Sequence, residues 1–314
     1  MRNFAVTVLG LTVLFLFMAV SRGTAENVKF GIPGLTVTMM PLPVAKERGY
    51  FQQEGLNVEL VLMPAALNIK VLLSGGLDYA TTIGSAVVAS VRGIDVRVVM
   101  CFVDRPLFDL VGTLEINSVA DLKGRLVGIS SRGGVIDVAT RQMIKQSGVD
   151  PAQVTLLIVG GQTEMLVALK AGRISAGLLS PPQNFLAYRE GLKNIGFAGA
   201  YIRIPSTGVV AMRDRLERNP DQVRRVLRAL SRARVFARDN KAAVMPILKR
   251  FLKLEDDDLL SKIYDYHQRA ETPDGRIDTG LAAEVIRDFR QAEGVAREIS
   301  VGQVFDFSYL EPLR

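Results

Sequence analysis

Short apolar runs of strand length alternate with helix-length segments along most of the chain, and this alternation restricts the fold more than any other feature of the sequence. The first four runs lie at 28–32, 58–62, 79–83 and 96–102. The segments between them end at glycines, as at Gly55 and Gly93. Strands that alternate with helices are typical of parallel strands joined by right-handed crossovers. The pattern therefore predicts an α/β unit with helices on both faces of its sheet.

A second unit of the same kind follows, and after it the chain changes character. Apolar runs predict strands at 126–129, 154–159 and 174–179. From Pro220 to Gly294 apolar residues recur at helical spacing, which predicts a helical C-terminal tail. A chain of 314 residues, at about 150 residues per domain, favours two lobes. Open α/β sheets bind ligands beyond the carboxyl ends of their strands, so two facing lobes predict a cleft between those ends.

The first 25 residues have the pattern of a cleaved signal peptide. Arg2 precedes a nearly all-apolar run at 4–20, and Gly23 and Ala25 fit the −3 and −1 positions of a cleavage site. The alternative is a membrane anchor, although a run of about 17 residues is at the lower limit for a spanning helix. No cysteine stands directly after the apolar run, so no lipid anchor is expected. We therefore predict export to a periplasm, which disfavours a nucleic-acid partner.

The composition excludes several kinds of active site. The chain has one histidine, one cysteine and no tryptophan, so a multi-histidine metal centre, a structural zinc site and a disulfide within the chain cannot form. A Ser/His/Asp triad would need His267, which lies in the helical tail. Cys101 lies within the apolar run at 96–102, where a buried, unreactive thiol is expected. We predict no catalytic residue, no metal and no cofactor. The net charge of +7 favours anionic partners in general.

The turn after the strand at 126–129 is the first candidate for ligand binding. Ser131, Arg132, Gly133 and Gly134 lie between that strand and a predicted helix. Free N–H groups at a helix N-terminus, together with hydroxyls and a guanidinium, suit a carboxylate, sulfonate or phosphate oxygen. The alternative is an ordinary tight turn.

The loop after the first strand is the second candidate. Leu35, Thr36, Thr38 and Met39 combine hydroxyls that could orient a ligand with adaptable apolar side chains. The alternative is that the methionine packs into the core of the lobe.

Two further turns are candidates for the same reason of position. Gly84 and Ser85 follow the third strand, where Ser85 is either a helix N-cap or a ligand contact. Ser180 and Pro181 follow the strand at 174–179, and they either line a pocket or only turn the chain. Elsewhere, six arginines make the predicted helix at 223–238 basic, so it could dock on an acidic surface or simply be solvated.

Five segments, in order along the chain, resemble the nitrate/sulfonate/taurine type of periplasmic substrate-binding protein, a group that also includes binders of the pyrimidine precursor of thiamine. They are the stretch at 41–59 containing GYF and EGLNV, SGGLD at 74–78, DLKGRLVGI at 121–129, LKAGRISAG at 169–177 and VFDFSYL at 304–310. Two departures from the family pattern are Ser175, which replaces the usual acid, and the lack of tryptophan.

The resemblance implies a two-lobed periplasmic-binding-protein fold of type II. Two doubly wound α/β sheets would be joined by two crossing segments near 111–113 and 204–206. The implied domains are a signal peptide at 1–25, lobe I at 26–112 and 206–314, and lobe II at 113–205. The implied ligand contacts are the segment from Leu35 to Met39, Gly84 and Ser85, and the segment from Ser131 to Gly134.

The function implied is that of the solute-binding component of an ABC importer. A monomer would capture a small anionic or polar organic solute in the cleft and deliver it to an inner-membrane permease, without chemistry. Without a tryptophan, aromatic contacts would have to come from Phe102, Phe108 or Tyr188. Two alternatives stay open: an exported hydrolase that uses Ser131 or Ser85 with a carboxylate, and a ligand-sensing module of a signalling receptor.

Overall fold

The computed structural model describes residues 25–310 except 131, 133 and 134, so residues 1–24 of the predicted signal peptide lie outside the described part. The described residues form ten β-strands: β1 Glu26–Ile32, β2 Leu56–Leu62, β3 Tyr79–Thr82, β4 Val96–Val103, β5 Asp109–Gly112, β6 Leu126–Ile129, β7 Thr155–Ile158, β8 Ala176–Leu179, β9 Lys193–Phe197 and β10 Thr207–Met212. The same part of the chain contains twelve α-helices: α1 Pro41–Glu47, α2 Tyr50–Gln53, α3 Ala65–Leu73, α4 Ile83–Val91, α5 Val135–Gln146, α6 Gln162–Lys170, α7 Gln183–Arg189, α8 Arg213–Arg218, α9 Pro220–Asp239, α10 Lys241–Leu252, α11 Asp257–Gln268 and α12 Thr279–Ala292. Within this part of the chain, no helix is both long and apolar enough to span a membrane.

The strands form two five-stranded sheets with the same topology. The strand order is β2-β1-β3-β10-β4 in the first sheet and β7-β6-β8-β5-β9 in the second. In the first, β10 is antiparallel to both β3 and β4, and in the second, β5 is antiparallel to both β8 and β9. The prediction of parallel strands is confirmed for β1 with β2 and β3, and for β6 with β7 and β8. Each sheet is nevertheless mixed, because the strand that follows a connection from the other sheet, β10 in the first sheet and β5 in the second, is antiparallel to its neighbours.

The two sheets are connected by two crossings. The chain leaves β4 at Val103 and enters β5 at Asp109, and it returns from β9 at Phe197 to β10 at Thr207. The expected first crossing at 111–113 is therefore wrong, because these residues follow or belong to β5, which pairs with β8 and β9 in the second sheet. The return crossing contains the expected segment 204–206. The division into lobes at residues 112 and 205 stays a prediction, and the pairing of β5 argues for moving its first boundary to 104–108.

The first sheet is covered on both faces, and the C-terminal helices provide much of that cover. Neighbouring strand residues belong to different core clusters: the cluster of Val99 includes residues of α9 and α11, whereas the cluster of Val98 includes residues of α12. Because successive side chains in a strand point to opposite faces, these clusters lie on the two sides of the sheet. The predicted helical tail is confirmed and consists of α9 to α12.

Two local predictions change in the structure. The helix-length segment that ends at Gly55 forms two helices, α1 and α2, separated at Gly49, whose φ of 71° favours glycine. The arginines of α9 are largely directed back onto the first lobe. Arg225 pairs with Glu26, and Arg228 pairs with Glu54 at 2.8 Å. These pairs remove much of the reason to expect an acidic partner on this helix.

The single cysteine and the single histidine of the chain are both buried. Cys101 is in β4, fully buried, and burial raises the pKa of its thiol, which confirms the expectation of an unreactive cysteine. His267 in α11 is also fully buried, and burial, followed by the charge of Arg234, lowers its pKa to about 3. His267 is therefore a neutral core residue at physiological pH.

Candidate functional site

A cavity of about 460 Å³ lies between the carboxyl ends of strands from the two sheets and the helical tail. Twelve apolar residues line it: Leu35, Val37, Pro106, Leu107, Phe108, Val135, Pro181, Pro182, Ile204, Leu252, Leu254 and Ile263. Four hydroxyl residues complete the lining: Thr36, Thr38, Ser180 and Ser206. The volume is within the range of about 300–1,000 Å³ that is typical of small-molecule sites. The position agrees with the cleft expected between two α/β sheets.

Five of the predicted ligand contacts meet in this cavity. Leu35, Thr36 and Thr38 come from the loop after β1, and Ser180 and Pro181 come from the turn after β8. The two loops belong to different sheets and are more than 140 residues apart in sequence. Their convergence supports these five residues as ligand contacts.

The other predicted contacts lie elsewhere or outside the described residues. Met39 is fully buried in the core of the first lobe, as the alternative interpretation expected. Gly84 and Ser85 are the second and third residues of α4, Thr82 rather than Ser85 is the N-cap, and Phe289 of α12 packs near Gly84. Arg132 is exposed and is not part of the lining. Ser131, Gly133 and Gly134 lie outside the described residues.

The polar groups of the lining are mostly satisfied by the protein itself. The Thr36 and Thr38 hydroxyls are hydrogen-bonded to each other at 2.9 Å. The Ser180 backbone N–H and hydroxyl both donate to Gln162 Oε1, at 2.8 and 3.2 Å. The prolines of the lining have no N–H to donate. The cavity thus presents mainly hydrocarbon, with few free hydrogen-bond donors.

Two parts of the lining were not predicted from the sequence. Pro106 and Leu107 belong to the first crossing, and Leu252, Leu254 and Ile263 belong to the helical tail. The crossing could have been found from the break between β4 and β5. The tail residues show no sequence signal beyond helical spacing, because periodicity predicts that a helix side is buried but not what covers it. Of the three aromatic candidates, only Phe108 lines the cavity.

A buried joint next to the cavity connects the second sheet to α11. The carboxylate of Asp109 accepts hydrogen bonds from Asn184 Nδ2 at 2.9 Å and from Tyr188 Oη at 2.7 Å. The ring of Tyr266 in α11 packs edge-on against Phe185 and Phe197, with centroids 5.8 and 5.6 Å apart. Burial, followed by the charge of Asp109, raises the pKa of the Tyr266 hydroxyl. Helix α11 therefore contacts the second half through this joint and the cavity through Ile263.

Ion pairs surround this joint. Arg189 of α7 pairs with Asp256, the N-cap of α11, at 2.8 Å. The hydrogen bond from Arg189 holds the pKa of the Asp256 carboxyl below its usual range. In the crossings, Arg203 donates to Asp104 at 3.0 Å and to Asp278 at 2.6 Å. Charged residues thus connect the halves outside the cavity, whereas its described lining has no charged side chain.

The site offers enclosure rather than reactive groups. The described lining contains neither a histidine nor a carboxylate next to its serines. Over the residues that the structure describes, no group of three or more His, Cys, Asp or Glu residues could hold a metal ion. The arrangement can surround a small molecule with apolar contacts and a few hydroxyls.

The chain matches known proteins over most of its length. The family model described as NMT1/THI5 like matches residues 36–243. The riboflavin-binding protein RibY of Chloroflexus aurantiacus is 26% identical over 261 residues, and the match covers 73% of this chain and 73% of RibY.

Solved structures share the fold. The periplasmic aliphatic sulphonate binding protein SsuA of Escherichia coli matches with a TM-score of 0.72 at 18% identity, covering 88% of this chain and 96% of SsuA. The desulfurization enzyme DSZB matches with a TM-score of 0.63 at 15% identity, covering 87% of this chain and 94% of the enzyme. The predicted two-lobed periplasmic-binding-protein fold is confirmed. Since the fold is found in a binding protein and in an enzyme, it does not by itself decide between binding and catalysis.

Proposed function

The chain belongs to the NMT1/THI5-like family, and we propose that it is the solute-binding component of an ABC-type importer. It captures a small organic solute between its two lobes and releases it unchanged to a membrane permease. The cavity is the observation that carries this proposal, because loops next to strands of both sheets line it together with the helical tail. A solute in that position contacts both halves at once, so its binding favours the closed arrangement over the open one.

The relatives support the same role. RibY is named for riboflavin binding and SsuA for binding aliphatic sulphonates, and both names describe capture of a small organic molecule. The leader at residues 1–25 and the name of SsuA support a periplasmic location. The partners we propose are one solute and an inner-membrane permease, and the protein acts as a monomer without a cofactor.

The main alternative is an exported hydrolase, and DSZB gives it some weight as an enzyme of the same fold. A hydrolase that used Ser180 or Ser206 would need a base within hydrogen-bond reach. Among the residues described around the cavity none is a histidine or a carboxylate, and the Ser180 hydroxyl donates to the amide oxygen of Gln162. This lining supports binding over hydrolysis.

The test is calorimetric titration of the purified protein with riboflavin, alkanesulfonates, nitrate, amino acids and pyrimidines, followed by mass analysis of each recovered solute. We expect saturable binding of one solute per chain and full recovery of that solute at its original mass. A product of altered mass, formed in proportion to the protein and lost in a Ser180→Ala or Ser206→Ala variant, would replace the binding proposal with the hydrolase.

A further inference from the structure

The lining of the cavity restricts the chemical class of the solute. We propose that the solute is an uncharged organic molecule with a mostly apolar body and few polar atoms, and not an anion. This inference rests on the proposed function, since it assumes that the cavity is the capture site. It departs from the anionic solute that the exposed Arg132 and its turn suggested from sequence.

The first argument is charge. All sixteen lining residues that the structure describes are uncharged, and twelve of them are apolar. An anion enclosed there would lose its hydration and meet no cationic side chain among the described lining residues. Burial of an unpaired charge is among the most costly events in a protein interior. An uncharged solute has no such cost.

The second argument is that most of the nearby cations already have partners. Arg105 precedes Pro106 of the lining, and its guanidinium donates to the Gly199 carbonyl at 2.7 Å. Arg203 precedes Ile204 of the lining and is held by Asp104 and Asp278. To reach a bound anion, either arginine would have to leave these acceptors.

Two lysines are also adjacent in sequence to the lining. Lys262, which precedes Ile263, pairs with Asp258 at 2.7 Å. Lys253 lies between Leu252 and Leu254, but it is exposed and lines a separate surface cavity. Three of the four cations adjacent in sequence to the described lining are therefore committed to the protein.

The third argument is the supply of hydrogen bonds. Recognition of an anion needs several free donors, and the Thr36–Thr38 and Ser180–Gln162 hydrogen bonds use two of the four hydroxyl donors of the described lining, one threonine O–H and the Ser180 O–H. The hydroxyl of Ser206 is left without a hydrogen bond to any described residue. This inventory suits a solute with one or two polar groups near Ser206 and the threonine pair, and with hydrocarbon or aromatic surface against Phe108, Leu252 and Ile263.

The test compares solutes that differ in charge and little else. We use 4-ethylbenzyl alcohol with 4-ethylbenzoate, and 4-ethylphenol with 4-ethylbenzenesulfonate, and measure each dissociation constant by calorimetry. In the unmodified protein we expect at least one uncharged solute to bind, and to bind at least tenfold more tightly than its anionic counterpart. An anion that binds as tightly as its uncharged counterpart, or no binding of either uncharged solute at about 1 mM, would overturn the inference.

A charged side chain placed in the cavity lining should change the ratio of the dissociation constants of the anionic and the uncharged solute. We expect Leu35→Arg to reduce the preference for the uncharged solute at least tenfold, because a cation then faces the cavity. Leu35→Met controls for loss of the leucine, and Leu62→Arg on an exposed strand end outside the lining controls for net charge. Both controls should keep the ratio of the unmodified protein, and an unchanged ratio in Leu35→Arg would contradict the inference.

The outcomes separate this inference from the proposed function. Saturable binding of an anion, with the anion recovered intact, would overturn the solute class and leave solute capture standing. Conversion of either member of a pair to a product would instead overturn the proposed function.

Discussion

The two halves of the molecule have the same strand order but different cover. The first sheet packs between two core clusters that include α9 to α12, whereas the second sheet has a single cluster built from its own helices. Exposed apolar side chains follow the same division. Eight of the eleven large ones belong to the second half: Leu114, Leu126, Val135, Val138, Leu157, Ile158, Val167 and Leu186.

The difference shows what the helical tail contributes. The tail packs on the first half, and the two together are called the base of the molecule below. The tail also supplies Leu252, Leu254 and Ile263 to the cavity wall. The second half meets that base through Tyr266 and through the pair between Arg189 and Asp256. One set of helices therefore stabilises the first half, forms part of the site and contacts the half that would move when the cleft opens.

The largest expected effect comes from the buried ion pair of the base. Arg234 in α9 lies 3.2 Å from Glu271, both side chains are buried, and Arg234 also donates to Thr272. Replacement of Arg234 by alanine leaves the Glu271 charge without its partner in the interior, so we expect a loss of about 3–5 kcal/mol in the free energy of unfolding. Urea unfolding followed by circular dichroism measures this loss.

The matched control is Arg238→Ala on the same helix, where the arginine is half-exposed and pairs with its neighbour Asp239. We expect a change below about 1 kcal/mol there. An equal loss of unfolding free energy in the two variants would show that the buried Arg234 pair contributes no more to stability than the exposed Arg238 pair does.

The joint between the halves should give the next largest effect. Tyr266→Leu removes two edge-on aromatic contacts, with Phe185 and Phe197, each worth about 0.5–1.5 kcal/mol. We expect a shift toward the open arrangement, visible in small-angle scattering as a larger radius of gyration of the solute-free protein. Tyr266→Phe keeps both ring contacts and should scatter like the unmodified protein. A radius that Tyr266→Leu leaves unchanged would mean that the joint does not hold the halves together.

The single histidine predicts a pH dependence that is confined to the base. The pKa of His267 is about 3 in the folded protein, against about 6.5 when unfolded, so the unfolded chain binds a proton that the folded one does not. Stability contributed by His267 is therefore complete above pH 6.5 and falls as the pH is lowered toward 3, by about 1.4 kcal/mol at pH 5.5.

Urea unfolding at pH 7.5 and pH 5.5 tests this dependence. His267→Leu should lose less stability between the two pH values than the unmodified protein does. The same loss in both proteins would assign the pH dependence to other groups.

The smallest effect should come from the exposed ion pair between the halves. Arg189→Ala removes contacts with Asp256 and Asp258, and we expect a slightly faster release of bound solute at low salt. The difference should disappear at about 1 M salt, where the screening length is about 3 Å. Lys170→Ala, which breaks an exposed pair with Glu190 within the second half, should leave release unchanged. A salt-independent effect would contradict an electrostatic contact.

Local pattern predicted much of the fold. The parallel strands, the glycine-terminated helices and the helical tail all follow from hydrophobic periodicity, which is a property of neighbouring residues. The antiparallel positions of β5 and β10 could not be predicted in this way, because each pairs with strands that are distant in sequence: β5 with β8 and β9, and β10 with β3 and β4. Those pairings depend on long-range topology, for which the sequence carries no local signal.

The site was predictable to a similar extent. The loops after β1 and β8 were found because strand ends meet at one edge of a sheet. The N-cap interpretation of Ser85 was wrong because the structure begins α4 directly after Thr82. Leu252 and Ile263 were missed because they look like ordinary core positions of helices. Their place in the cavity lining follows only from where the tail packs.

Solute capture between the two halves is tested most directly by titration calorimetry of 4-ethylphenol into three proteins: the unmodified chain, Leu35→Trp and Leu62→Trp. Leu35 lines the cavity, and Leu62 lies exposed outside it in the same half. We predict one bound 4-ethylphenol per chain for the unmodified protein and for Leu62→Trp, with binding at least tenfold weaker in Leu35→Trp because the larger ring occupies part of the cavity. Equal affinity in all three proteins would contradict the account.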